Sequence, residues 1–355
     1  MSRIARFLVF GAMASWTLLL PARLDAQPAG AAAAAAAADE NTTRLFASRA
    51  PLSLELSGDL RSTLRDKSED PPWREARISY VDDGDTVRLP VRARTRGRFR
   101  LEHCSFPPLR LNFVKDSVKG TLFDRQDKPK LGTHCRGVGD YEQYTVQEYL
   151  LYRIYEIVSP YAFQARLARI TYIDTAGNMD PVTRWALLME EPAALADRLG
   201  GHENERPGVL QVHVDPQALL VLGMFQFLIG NTDWSVPGLH NIAIIDRDGG
   251  LPLAVPYDFD WSGAMATRYA KPDPSLGTRS VTQRVWRTVC PTPEVLQPVI
   301  AHFNAKRADI EALYDGFPPL DPKHAERTLK YFAEFYETIN DPRRMERALR
   351  DVCRS

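Results

Sequence analysis

Two hydrophobic periods divide the chain. From Leu52 to Met189 apolar residues fall mainly at alternate positions, the period of a half-buried strand, with one helical interruption. Leu52-Ser-Leu-Glu-Leu alternates strictly. Glu75–Val81 and Thr86–Thr95 alternate in part around Asp82-Asp83-Gly84-Asp85, which predicts a hairpin. Leu109–Phe113, Leu131–Cys135, Arg166–Ile173 and Trp185–Met189 are further strand candidates. The interruption runs from Tyr141 to Val158, where Val146, Leu150, Leu151, Ile154, Tyr155 and Val158 keep helix spacing. Pro192 then opens a short helix to Leu199, and Asp215-Pro216 caps a helix that is apolar all round and stops at Gly230-Asn231. Asn241 to Asp260 reads as strand, turn, strand, and helices are expected over 292–304, 306–314, 322–338 and 343–352. The aromatic stripe Tyr331, Phe332, Phe335 and Tyr336 is expected to be core. This order predicts an α+β protein of two lobes: a β-rich lobe over 49–190 with one main helix, and a mostly helical lobe over 191–355.

Arg3 and Arg6 precede an apolar run from Phe7 to Leu20, and Leu24-Asp25-Ala26 offers a cleavage site before Gln27. That is the pattern of a secretory signal peptide over 1–26, so the mature protein is expected to be exported, periplasmic or extracellular. No later stretch has the ~20 apolar residues of a membrane span. The stretch 27–48 contains the alanine run Ala31–Ala38 and is expected to be a tether. Formal net charge is zero with 25% charged residues, which argues against a broad nucleic-acid-binding surface. Four cysteines in an exported chain suggest disulfides, and Cys104–Cys135 with Cys290–Cys353 keeps each bridge within one half. His103 and His134 precede Cys104 and Cys135, but without zinc-ligand spacing.

The candidate chemistry lies in Asn231-Thr-Asp-Trp, His240-Asn and Pro256-Tyr-Asp-Phe-Asp. Asp233 sits in a loop after the buried helix. Asn241 begins the following strand and Asp258 ends the return strand, so the hairpin brings them toward one place. Carboxylate and amide oxygens are hard ligands suited to Mg²⁺ or Mn²⁺, and such sites leave positions for phosphates. Phosphoryl transfer needs a metal at the phosphates and an Asp near the attacking hydroxyl. In protein kinases the base Asp precedes the metal-binding Asn by about five residues, and an Asp-Phe-Gly follows. Here the gap is eight positions and the later motif is Asp-Phe-Asp, so the order of roles is kept while the wording differs.

These motifs resemble the core of the CotH spore-coat kinase family, an atypical branch of the protein-kinase-like fold. Arg94-Thr-Arg-Gly-Arg-Phe-Arg, ending in Pro107-Pro-Leu-Arg-Leu-Asn-Phe, is similar to that family's Arg-Gly-Asn segment, and Leu187-Leu-Met-Glu-Glu resembles the strand and hinge that seat adenine. The resemblance spans roughly residues 85 to 265. It implies a two-lobed protein-kinase-like fold and ATP-dependent phosphorylation of protein Ser or Thr with Mg²⁺ or Mn²⁺. It makes Asp233 the catalytic residue and Asn241 and Asp258 the metal ligands, with Asp260 reaching a second metal. It points to Lys130 and Glu148 as the phosphate Lys and its helix Glu, with Lys128 and Arg110 as rivals, and to Met189 and Glu190 beside the base. No Gly-x-Gly-x-x-Gly loop is present, so Arg96, Arg98 and Arg100 either hold phosphates directly or form a solvated strand face. Two other readings stay open: a catalytically silent pseudokinase that binds a ligand or partner at the cell envelope, and an enzyme that transfers AMP. An exported kinase also needs ATP outside the cytoplasm.

Overall fold

A computed structural model describes residues 41–353; the signal peptide and the alanine run lie outside the described residues. In the first half ten segments alternate between strand and short helix. They are α1 (Arg44–Ala47), β1 (Leu52–Gly58), α2 (Leu60–Arg65), β2 (Arg74–Asp82), β3 (Asp85–Thr95), α3 (Phe99–His103), β4 (Leu109–Phe113), α4 (Lys115–Val118), β5 (Lys130–Gly132) and the long α5 (Tyr141–Val158). Strands β6 (Ala165–Asp174) and β7 (Val182–Met189) follow. The seven strands close into a barrel in the order β1-β2-β3-β4-β5-β7-β6.

This closure corrects the two-lobed kinase-like expectation. The strands form a sealed barrel rather than an open β-rich lobe, and the helical part beside it is modest. The cause is β1. Its one edge pairs antiparallel with β2, Glu55 opposite Ser79, and its other edge pairs parallel with β6, Leu54 opposite Ile170. One strand thereby joins the two ends of the sheet and removes both free edges. Strict alternation sends Leu52, Leu54 and Leu56 inward. There they meet Ile78, Tyr80, Val91, Leu111, Phe113, Phe123 and Tyr172. Each large apolar side chain buried there contributes about 1.5–3 kcal/mol. Gly58 permits the β1–β2 approach, because a Cβ there would lie 2.9 Å from the Glu75 carbonyl oxygen. The tether also ends earlier than expected: α1 buries Leu45 and Phe46, so packing begins within 41–48.

Helix α5 lies outside the barrel, and its apolar face shares a second core with Leu167, Leu187 and the later helices. Those helices are α6 (Pro192–Arg198), α7 (Pro216–Ile229), α8 (Pro293–Ala312), α9 (Pro322–Ile339) and α10 (Pro342–Cys353). The separate helices expected at 292–304 and 306–314 are one, α8, which carries Pro298 inside it. Tyr331, Phe332, Phe335 and Tyr336 of α9 are all buried in this second core. Between α6 and α8 stands a small sheet, β10-β9-β8, made of β8 (Gly201–Asn204), β9 (Ile242–Arg247) and β10 (Leu253–Pro256). Disulfides join Cys104 to Cys135 and Cys290 to Cys353. Closing loops of 31 and 63 residues restricts the unfolded chain by about 4 kcal/mol each in the chain-entropy account. Among the described residues no helix is long and apolar enough to cross a membrane.

Candidate functional site

The Asp233 loop is built from the end of α7. Asp215 caps the helix start by accepting from the amides of Gln217 and Ala218. Gly230 ends it in the left-handed conformation, φ 62°, which glycine adopts without strain. The side-chain oxygen of Asn231 accepts from the Asp233 amide at 3.0 Å. Buried Trp234 pins the next residue, and Arg287 donates to the Thr232 carbonyl. Ser235 and His240 then bridge antiparallel, which returns the chain so that Asn241 meets Asp233. The Asn241 amide nitrogen donates to the Asp233 carbonyl (2.7 Å) and carboxylate (3.1 Å), and His240 Nε2 lies 2.8 Å from the other carboxylate oxygen. Asp233 and His240 are 34% and 56% exposed, so this carboxylate is oriented and still reachable from solvent.

The β9–β10 hairpin carries the register across. Tyr257 N–H donates to the Asn241 carbonyl at 3.0 Å, which places Asp258 just beyond that rung. Asn241 and Asp258 both have positive φ, 53° and 60°, in the left-handed region that Asn and Asp tolerate best among side-chain-bearing residues. The Asp258 side chain joins a largely buried cluster. Arg100 of α3 approaches Asp258 at 2.6 Å, Asp260 at 3.4 Å and Glu148 of α5 at 3.8 Å. Tyr269 donates to Asp260 at 3.0 Å, and the Asp258 amide donates to the Tyr152 hydroxyl at 2.9 Å.

Three acids and one arginine in a dry site divide their charge unevenly. Burial pushes Glu148 up to about 8, against the pull of Arg100 and with the nearby Asp258 and Asp260 adding to the rise. Burial likewise raises Asp260 to about 7, opposed by Arg100 and reinforced by Asp258, with which it shares a hydrogen bond. Burial also acts to raise Asp258, but Arg100, Arg96 and Lys130 outweigh it and hold this carboxyl below the usual range. Burial works against the charge on Arg100, and Asp258, Asp260 and Glu148 together overcome it and hold the guanidinium firmly protonated.

Beside the cluster runs a narrow cleft, lined by Arg96, Lys130, Gly132, Leu187, Met189 and Tyr257 together with Arg100, Glu148, Tyr152 and Asp258. Lys130 stands 4.4 Å from the centre of the Tyr257 ring. Burial, helped by Arg96 and resisted by Asp258, lowers it to about 7. Burial depresses Arg96 too, with Asp258 opposing. Neither cation has an ion-pair partner among the described residues.

The structure thus brings Lys130, Glu148, Arg96, Met189 and Asp258 to one cleft, with Asp260 behind Asp258 and the Asp233–Asn241 pair at the other end of the hairpin rung. Three expectations change. Lys130 and Glu148 do not pair; Arg100 takes the Glu148 carboxylate because α3 projects into the space between barrel and α5. Glu190 does not face the cleft; it forms a buried two-pronged ion pair with Arg198, 2.8 Å at each oxygen, and anchors α6 to β7. Arg96, Arg98 and Arg100 are not one strand face, since β3 stops at Thr95 and α3 starts at Phe99. The rivals are engaged elsewhere: Lys128 with Asp127, Arg110 with Glu191. Both cysteines next to His103 and His134 are in the first disulfide, which excludes a zinc set there. Tyr152 and Tyr257 were not foreseen, although Tyr152 lies one helical turn after Glu148 and Tyr257 precedes Asp258.

Among the described residues no three His, Cys, Asp or Glu side chains are arranged to hold a metal. The donor chemistry nonetheless fits Mg²⁺ or Mn²⁺: Asp258, Asp260 and Glu148 converge on one guanidinium and are all oxygen ligands. In this conformation Arg100 supplies the positive charge instead.

No protein-family model matches the chain, and no curated protein matches it. A solved structure, the crystal structure of the Golgi casein kinase with Mn/ADP bound, is similar over 81% of this chain and 72% of that chain. The identity is 10% and the TM-score 0.29. The likeness is to a kinase, but at that score it decides neither fold nor activity, which rest on the residues above.

Proposed function

We propose that the chain is a metal-dependent phosphotransferase that binds ATP in the cleft between barrel and α5 and transfers its γ-phosphoryl group to a protein Ser or Thr hydroxyl. The observation that carries this is the pairing of opposites at one cleft: two cations without ion-pair partners, Arg96 and Lys130, beside Asp258, with Asp260 behind it on the same arginine, Arg100. Unpaired half-buried cations call for an anionic ligand, and adjacent carboxylates for a cation. A polyphosphate with its metal satisfies both.

Asp258, Asp260 and the amide oxygen of Asn241 would hold the metal. The Asn241 nitrogen is committed to Asp233, so its oxygen is the end left for a cation. When bound, the metal neutralises charge that develops on the phosphates. Arg96 and Lys130 grip phosphate oxygens, and Lys130, poised near neutrality, gains its full charge beside an anion. Leu187 and Met189 offer an apolar wall for the base. Asp233, held by His240 and Asn241, accepts the hydroxyl proton as the new O–P bond forms and the bond to ADP breaks. The N-terminal sequence and the two disulfides support an exported protein acting in the periplasm or outside the cell.

A second reading, a ligand-binding protein without transfer, is favoured by one observation: Arg100 already neutralises the carboxylates. Incubation of the purified chain with ATP labelled at the γ- or α-phosphate, Mn²⁺ or Mg²⁺ and a generic protein acceptor separates the readings. Label from the γ-phosphate that disappears in Asp233→Ala and Asp258→Ala is the expected result. Label only from the α-phosphate means AMP transfer. A nucleotide-dependent thermal shift without any label means the binding protein.

A further inference from the structure

Arg100 is the one residue in the cleft whose present position conflicts with the proposed function. Its guanidinium lies within 2.6–3.8 Å of all three acids, and its side chain is only 13% exposed. A divalent cation binding Asp258 and Asp260 would take the same oxygens and repel the guanidinium. Resting on the phosphotransferase reading, we infer that Arg100 has two stations: without ligand it is the tethered cation of the Asp258–Asp260–Glu148 cluster, and with metal–nucleotide bound it moves to the polyphosphate alongside Arg96 and Lys130.

The local construction suits a short, guided movement. Arg100 rides on the five-residue α3, whose end is fixed. Cys104 caps that helix and is bridged to Cys135, just ahead of α5. Lys67 donates to the carbonyls of Glu102 and Cys104, and Arg136 to that of His103. At its start, Phe99 packs edge-on against Trp261 at 5.3 Å, next to Asp260 in sequence. The backbone is therefore held at both ends while the long arginine side chain keeps its rotamers. Arg96 lines the same cleft four residues earlier, so the guanidinium needs only a side-chain swing to reach an anion held by Arg96. Phosphate binds a guanidinium through two parallel hydrogen bonds, a geometry the present contacts at 2.6 and 3.4 Å to two separate carboxylates do not offer. Metal and nucleotide must then assist each other, because each removes what opposes the other. The metal expels Arg100 from the acids, and the nucleotide receives it.

Mn²⁺ titrations followed by electron paramagnetic resonance of the free ion test this, with and without a non-hydrolysable ATP analogue. Wild type is expected to bind Mn²⁺ at least about tenfold more weakly alone than with the analogue. Arg100→Gln, and Arg100→Gln/Glu148→Gln, which also removes the third acid, should bind Mn²⁺ alone at least about tenfold more tightly than wild type, and lose most of the analogue's assistance. Asp258→Ala should bind none at this site. Equal Mn²⁺ affinity in wild type and the Arg100 variants, with Asp258→Ala still deficient, overturns the two-station inference and leaves the metal-site reading standing. No Mn²⁺ binding by any variant, with or without analogue, overturns the phosphotransferase reading itself. Should the Arg100 variants fail to fold, arginine side-chain NMR of wild type decides: Mg²⁺ with analogue should shift the Arg100 Nε–H resonance, and an unshifted resonance rejects the movement.

Discussion

The two acidic groups at the ends of one hairpin rung are organised in opposite ways. Asp233 is a partly exposed carboxylate held by hydrogen bonds from His240 and Asn241. Asp258 is a partly buried carboxylate held by a full positive charge, with two further acids competing for the same guanidinium. The first arrangement orients a group that solvent can still reach. The second suppresses basicity and concentrates charge, which suits holding a cation and not accepting a proton. Sequence neighbourhood made them look like one cluster. Burial and charge separate them into a reactive end and an electrostatic end.

Asp258→Ala attacks the electrostatic end. Losing a metal ligand should cost about 5 kcal/mol of transition-state stabilisation, on the order of 10⁴-fold in γ-phosphate transfer, together with the nucleotide-dependent thermal shift. Asp233→Asn attacks the reactive end. Transfer should fall on the order of 10³-fold while the nucleotide-dependent thermal shift persists, because the binding charges are untouched. If the two variants lose binding and rate in the same proportion, the division between the ends is wrong.

The pH dependence of stability sharpens the contrast further. Glu148 is pushed to about 8 and Asp260 to about 7, from ordinary values of 4.5 and 3.8. Between pH 5 and 7 the folded state therefore holds protons that the unfolded chain has lost, so their contribution is complete at low pH and fades as pH rises. The melting temperature should fall across that interval, each group contributing up to about 1 kcal/mol per pH unit. Above about 7 Lys130 acts in the opposite sense, since its folded value lies below the ordinary 10.5. Glu148→Gln should flatten the acid-side slope in thermal melts, whereas Asp233→Asn should leave it as it is. An unchanged slope in Glu148→Gln would show that the buried cluster does not carry the effect.

The smallest expected effect belongs to His240→Ala. Its contact with Asp233 is half exposed, and exposed pairs contribute about 0.2–1 kcal/mol. Transfer should fall by no more than about fivefold, with nucleotide binding unchanged. A loss a hundred times larger would make His240 a proton carrier and would move it from orienting Asp233 to sharing its chemistry.

What was legible beforehand was local. The alternation of Leu52, Leu54 and Leu56, the helix spacing of α5 and the apolar run of α7 depend on residues a few positions apart, and so does the short hairpin that sets Asn241 against Tyr257. Periodicity therefore determined which segments are strand or helix and placed Asp233, Asn241 and Asp258 at neighbouring loop ends. It could not reveal that β1 pairs with both β2 and β6, because pairing Leu54 with Ile170 depends on two edges meeting across more than a hundred residues. Nor could it tell which cation would reach which acid. Arg100 and Asp258 are 158 residues apart, and Glu190 was claimed by Arg198 rather than by the cleft. Local periods follow from one chain segment facing one core. Barrel closure and charge pairing follow from which distant surfaces are driven together, and at this site that placement, more than residue type, decides which carboxylate meets solvent, which meets Arg100 and which is a strut.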